Sequence, residues 1–302
     1  MAPTPIPQPG IFAQGTRSHY HLELSVRSDA TDAAVLDGLR QLREPQVTAG
    51  GVNLVLGLGP ELWSRLSPGQ APAELRAFSP IDGLDGTSAP ATQHDIWLWV
   101  HGTGEDVAFD TARAAAVALA EVATVELEQP AFVYKDSRDL TGFIDGSANP
   151  PSEEAAEVAL VPSGSAGAGG AFVLAQRWIH DLGAFHALSV REQERVFGRT
   201  KSDSIEMDDD TKPANAHIAR VEVDIDGEEA EIYRRSTPFG TLAEHGLYFL
   251  AFSAELRRFE VMLHNMFGLG DGPRDRLTDF SRPVSGSFFF APSVDALNDL
   301  LS

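Results

Sequence analysis

The order in which two hydrophobic periods succeed one another constrains this chain more than any other feature. Residues 20–26 alternate apolar and polar side chains, the two-residue period of a half-buried strand. Residues 32–42 then place Val35, Leu36, Leu39 and Leu42 at helical spacing. Residues 52–57 read as a second strand and 60–66 as a short helix. Residues 67–93, rich in Pro, Gly, Ser and Ala, read as a long loop. A third strand over 95–101 puts Ile96, Leu98 and Val100 on one face and Trp97, Trp99 and His101 on the other. The Ala-rich stretch 112–122 predicts a second helix, and 123–128 a closing strand.

The second half follows a similar order. Residues 171–179 read as a strand, and Ser189 with Glu192 three residues on is a capping-box signature. Residues 217–225 read as a strand joined through the turn Asp226-Gly227 to a short partner over 231–235. A strong strand over 246–253, a helix over 255–267 and a last strand over 286–290 complete the series. The expected fold class is therefore α+β: two tandem ferredoxin-like β-α-β-β-α-β units, antiparallel sheets with peripheral helices. The division reads as a loose tail over residues 1–18, an N-terminal unit over 19–140 and a C-terminal unit over 141–302. No sequence repeat is obvious, so the duplication rests on element order alone. Residues 163–170, nearly all Gly, Ala and Ser, read as flexible.

Composition narrows the chemistry. A chain of 302 residues, 43% hydrophobic and 22% charged, is long enough to bury a sizeable core. No apolar run approaches the roughly 18 to 20 residues of a membrane span, and the proline-rich start is a poor secretion signal; these readings point to a cytoplasmic protein. With no cysteine, disulfides, thiolate nucleophiles, thiolate-bound haem and iron–sulfur clusters are excluded. Any metal must use His, carboxylate or other oxygen ligands. A net charge of −21 argues against nucleic acid and anionic membranes, which both need basic patches.

Asp-Gly follows Ile three times, at Asp82, Asp145 and Asp226, and usually marks a turn. The Asp145 copy differs, because Thr141-Gly-Phe-Ile-Asp-Gly-Ser-Ala-Asn-Pro150 lies between the two units, where pockets tend to form. His217 is a lone histidine, and such a residue is more often a surface or satisfied core group than a ligand. Arg234 and Arg235 follow a run of acids and read equally as their ion-pair partners. Adjacent strand residues face opposite ways, so only one of the two can enter a given pocket. The run Asp208-Asp209-Asp210 has no ordered ligand spacing and reads as a solvated loop rather than a hydrolase metal site.

Taken together, the Gly142-Phe-Ile-Asp-Gly146 loop, His217, Arg234-Arg-Ser236, the Gly246-Leu-Tyr-Phe-Leu-Ala-Phe252 strand and the closing Val284–Ser293 stretch resemble the dye-decolourising haem peroxidase family. The likeness spans nearly the whole chain and includes Gln8-Pro-Gly-Ile11 and Gly57–Trp63. Compact length and Arg234-x-Ser236 look most like its bacterial B-type branch.

The resemblance implies haem b in the C-terminal unit, with His217 as the iron ligand. Asp275 best matches the acid that receives the other ring N–H of that histidine, with Asp279 as competitor. It implies Asp145 as the acid/base that moves the peroxide proton and Arg234 as the fixed cation facing developing negative charge. Ser236 is expected to hydrogen-bond distal water, although this branch often carries Asn there, and Phe249 to pack over the haem. Asn149 and Arg220 are candidates for holding the propionates, with a surface salt bridge the alternative for Arg220. Burial should raise the Asp145 pKa and Arg234 should lower it; if the cation wins, an acidic optimum follows.

The implied activity is reduction of hydrogen peroxide through ferryl intermediates, with oxidation of bulky aromatic or dye-like donors. Release of iron from haem is the alternative within the family, and a non-catalytic haem carrier or sensor the alternative outside it. A carrier needs no distal acid and cation, which Asp145 and Arg234 would supply. Tryptophans and tyrosines are candidates for relaying electrons, with Trp97 and Trp99 reading better as core. Family members form homo-oligomers, and those packed in protein nanocompartments carry a C-terminal extension that is not visible here.

Overall fold

The computed structural model describes residues 5–42 and 51–302. Its first half opens with β1 (Ser18–Val26) and α1 (Asp32–Arg40), whose N-cap is Thr31, its hydroxyl accepting from the Ala34 N–H. Next come β2 (Val52–Leu58) and α2 (Pro60–Leu66), with proline at the first helical position. The expected loop then contains the paired pieces β3 (Ile81–Asp82) and β4 (Ser88–Ala89). After β5 (Ile96–Gly102) comes α3 (Glu105–Leu119), which starts before the alanine-rich run because Glu105 and Asp106 complement its positive end. β6 (Ala123–Phe132) closes this half.

In the second half, α4 (Ala155–Ala159) leads into β7 (Ala171–His180), α5 (Leu182–Ala187) and α6 (Val190–Phe197), whose start is capped by Ser189. The predicted strand over 217–225 is a correction. His217–Val221 is a helix, α7, and only Asp224–Ile225 is extended, as β8. Ile218 and Val221 fit both periods, and packing of α7 against α8 decides for the helix. β8 turns through Asp226 (φ 59) and Gly227 (φ 87) into β9 (Glu228–Glu229), a left-handed pair of the type tight hairpins require. β10 (Tyr233–Arg234), β11 (Thr237–Gly240) and β12 (His245–Ser253) follow. Then come α8 (Leu256–Met266), β13 (Ser281–Pro283), β14 (Ser287–Ala291) and a final helix the sequence reading lacked, α9 (Val294–Leu301).

Both halves show one strand order. β6-β1-β5-β2 and β14-β7-β12-β10 each run fourth, first, third, second, and every pairing is antiparallel. β14 meets β2 at Phe290 and Leu58, so the halves join in a single sheet. The sheet curls until β11 lies beside β6, enclosing an interior to which α4 adds Ala155 and Ala159, while α1, α3 and α8 pack on the other face. Strand alternation fills both sides. Ile96, Leu98 and Val100 pack against the helices, and Trp97 and Trp99 point into the enclosed interior. All four tryptophans are buried.

The loose tail expected over residues 1–18 is also corrected, over residues 5–18; residues 1–4 lie outside the described residues. Gln8 donates to the Leu56 and Pro292 carbonyls and accepts from the Leu56 N–H, and Ile11 is fully buried. Arg235 donates to the Ile11 and Ala13 carbonyls, which fastens this segment to the enclosed interior.

Candidate active site

The Asp145 segment is a tight double-back rather than a free loop. Asp139 N–H donates to the Phe143 carbonyl (2.9 Å) and Asp145 N–H to the Ser137 carbonyl (3.0 Å). Arg138 donates to the carbonyls of Gly142, Lys201 and Ser202, and Phe143 stacks on Phe197 at 4.0 Å. Gly146 follows at φ 77, a conformation that lets the chain leave sharply after Asp145. The carboxylate is thereby fixed in the lining of a cavity.

Among the described residues, those that line the cavity all come from Asp139 onward. One wall is sheet, with Leu174, Gln176 and Trp178 from β7, Leu247 and Phe249 from β12, and Arg234 from β10. The opposite wall is helical, with His217, Ile218 and Val221 from α7 and Phe259, Met262, Leu263 and Met266 from α8. Two largely apolar walls with a few convergent polar groups suit a flat, hydrophobic ligand. The mouth carries Glu222, Glu229 and Glu231.

His217 reaches the cavity with one ring nitrogen already engaged. Its Nδ1 lies 2.6 Å from Oδ2 of the fully buried Asp275, whose Oδ1 accepts from the Leu277 N–H at 2.8 Å. Nε2 is thus the nitrogen left for a ligand. Asp279, the competing acid, pairs instead with Arg274 at 2.6 Å.

Burial pushes the Asp145 carboxyl above its ordinary range, and the opposing pull of Arg234 does not reverse this. Burial also lowers the Arg234 guanidinium, which Asp145 partly restores. The Nε of Arg234 and the Nε2 of Gln176 are buried donors on the cavity wall with no partner among the described residues. Such groups are costly unless an acceptor enters, so the donor set fits an occupant that brings oxygen atoms.

The two consecutive arginines diverge. Arg234 lines the cavity, and Arg235 lies over the Trp99 ring at 4.9 Å in the enclosed interior. Three further candidates fall outside the lining. Asn149 donates from Nδ2 to the Arg234 carbonyl (2.8 Å) and accepts the Arg234 N–H (2.9 Å), which ties the Asp145 segment to β10. Arg220 is buried with a donor on the Asp271 carbonyl (2.6 Å), neither in the cavity nor in a surface salt bridge. Ser236 meets the backbone of Leu250, because it sits in the break between β10 and β11. Phe249 lines the sheet wall as expected of its strand face.

Sequence reasoning missed Arg199, Asp139, His180 and Gln176, all of which line the cavity. Arg199, beside Glu206 and Glu222, is with Arg234 one of two arginines there. Asp139 lies two residues before the Thr141–Pro150 motif; His180, at a strand end, carried no distinguishing spacing.

Residues 8–133 match the family model for the Dyp-type peroxidase N-terminal part, and residues 136–296 that for the C-terminal part. The chain belongs to the Dyp-type peroxidase family. It is 42% identical to a dye-decolorizing peroxidase of Mycolicibacterium paratuberculosis, over 97% of this chain and 85% of that one. Among solved structures, a putative Dyp-type peroxidase from Shewanella oneidensis superposes with TM-score 0.91 at 31% identity, covering 98% and 99% of the two chains. A Rhodococcus jostii DypB variant in complex with haem superposes with TM-score 0.87 at 37% identity, covering 94% and 96%.

Proposed function

We propose a division of labour for the cavity of this haem-dependent, dye-oxidising peroxidase. His217 holds the iron through Nε2, and Asp275 keeps the Nδ1 proton and sets the ring's direction. Phe249 and the α8 side chains enclose the flat faces and exclude water. Arg199 takes the place first given to Arg220 and Asn149 as partner of a propionate. Asn149 is a positioning residue that holds the Arg234 backbone. We also divide the chain into N- and C-terminal units at residue 140, and place it in the cytoplasm on its acidic, cysteine-free composition.

Bound haem supplies the redox chemistry that reduces hydrogen peroxide and oxidises an aromatic donor. Asp145, as carboxylate, accepts the proton from the inner peroxide oxygen and returns it to the outer one. Arg234 faces the negative charge that grows on the outer oxygen as the O–O bond parts. The observation that carries this reading is convergence: an acid, a cation and an imidazole with one free nitrogen border one apolar cavity. Release of iron from haem would need neither the acid nor the cation.

The test is direct. His217→Ala should lose haem and its Soret band. Arg234→Leu should keep haem and lose dye oxidation by about 10²- to 10³-fold, the range for one electrostatic donor. Full turnover in Arg234→Leu would remove that residue from the scheme.

A further inference from the structure

A second, surface-facing cleft lies behind the active-site cavity, and the two share a wall made of His180 and Ser281. The pair faces across β7 and β13, with His180 Nδ1 2.8 Å from Ser281 Oγ. Its Nε2 lies 3.1 Å from Asp139 Oδ1. Asp139 also accepts at Oδ2 from the Thr141 N–H (3.0 Å) and hydroxyl (2.6 Å), which completes its hydrogen bonding. Burial pushes the Asp139 carboxyl up, but His180 and Thr141 hold it down to about 2. It is therefore an anion that fixes the direction of the imidazole. The cleft side adds His245, Asp181, Asp279 and Arg282.

Reduction of one hydrogen peroxide to two waters consumes two protons and two electrons. Asp145 only moves a proton from one peroxide oxygen to the other, so it supplies none. A donor too bulky for the cavity delivers electrons without protons, which then need their own way in. We propose that His180, with Ser281, is the proton port of this cavity. The proposal rests on the peroxidase reading above.

In one passage, protonated water in the cleft gives a proton to Ser281 Oγ as that hydroxyl passes its own to His180 Nδ1, leaving neutral water behind. The imidazolium hands its Nε2 proton to Asp139 Oδ1, 3.1 Å away, and the carboxyl passes it to water in the cavity beside Asp145. One proton crosses, no bond between heavy atoms changes, and tautomer exchange with water on either side resets the ring. A histidine serving only to fill the core would not border solvent on two sides.

The test uses the haem-loaded full chain. His180→Gln keeps a hydrogen-bonding amide but carries no proton; it should retain its Soret band and slow peroxide-dependent dye oxidation about tenfold or more. Its solvent deuterium isotope effect should rise, and added imidazole should restore His180→Ala. Wild-type rate and isotope effect in His180→Gln would overturn the port, as would slowing without an isotope effect or imidazole rescue. Asp145→Asn run alongside separates the two readings: activity retained there removes the distal assignment, whereas activity lost there but intact in His180→Gln removes the port alone.

Discussion

Asp275 Oδ2 lies 2.6 Å from Nδ1 of His217, although 58 residues separate the two in sequence. The acid is fully buried and its other oxygen is held by a backbone N–H, so it has no freedom to turn away. A ligand so oriented donates more strongly through its other nitrogen. Asp275→Asn should therefore retain haem, raise the iron reduction potential and slow the peroxide step by about 10- to 100-fold. Asp279→Asn, which loses only the ion pair with Arg274, should match wild type in a redox titration. Equal effects of the two substitutions would refute the assignment.

Burial prevails over Arg234 at Asp145, so the acidic optimum conditional on the cation's dominance does not follow. The carboxylate needed to accept the peroxide proton forms only above the ordinary aspartate range. The rate of the peroxide step should fall on acidification at a higher pH than an unperturbed carboxylate would give. Because the folded pKa is raised, this group stabilises the fold least when ionised, at higher pH. Asp145→Asn should thus be relatively more stabilising at neutral pH than at pH 4. Stopped-flow rates and thermal melts across pH check both.

The enclosed interior makes the chain sensitive to acid. His19 is held down to about 3 and His101 to about 2, and His21 lies well below its usual value, in each case first by burial. These histidines are neutral when folded and titrate near pH 6.5 when unfolded, so their stability contribution is full above that value and falls as pH drops. Each gives a slope of about 1.4 kcal/mol per pH unit. Glu23, raised by burial to about 7, acts oppositely between roughly pH 4.5 and 7, because the folded chain keeps its proton. Denaturant unfolding should therefore take up about two protons net between pH 5 and 6. Glu23→Gln should steepen that dependence by about one proton; an unchanged slope would contradict the buried charge states.

Asn149 joins the Asp145 segment to β10 through both the nitrogen and the oxygen of its side-chain amide. Asn149→Ala should keep haem but blur the Arg234 position, raising the KM for peroxide and lowering kcat together, each by about tenfold, within the range misplaced catalytic groups cost. Ser236→Ala, which alters only contacts with the Leu250 backbone, should leave steady-state kinetics near wild type.

Most elements were legible because period and capping agreed with packing, as in Ile96 to His101 and at Ser189. His217 to Val221 was misread because five residues with two β-branched side chains satisfy either period, and only contact with α8 decides. At the site, the motif around Asp145 stood out through its glycines. The choice between Asp275 and Asp279 did not, since both lie in one short run and only three-dimensional direction separates them. Asn149, Arg220 and Ser236 were drawn toward the cavity by chain proximity, and backbone partners turned them elsewhere. His180 carried no signal at all, because its meaning lies in a wall shared by two spaces.

β7 serves two interiors at once: Leu174, Gln176 and Trp178 face the cavity, and Val173 and Ala175 face the enclosed side. Deleting a single residue early in this strand would exchange the two sets, since strand faces alternate one by one. Alanine and valine would then leave a gap behind the cofactor, and an indole would be driven against the rings of Trp97 and Trp99. Within β7, then, substitutions are open to gradual change, but insertions and deletions are closed to it.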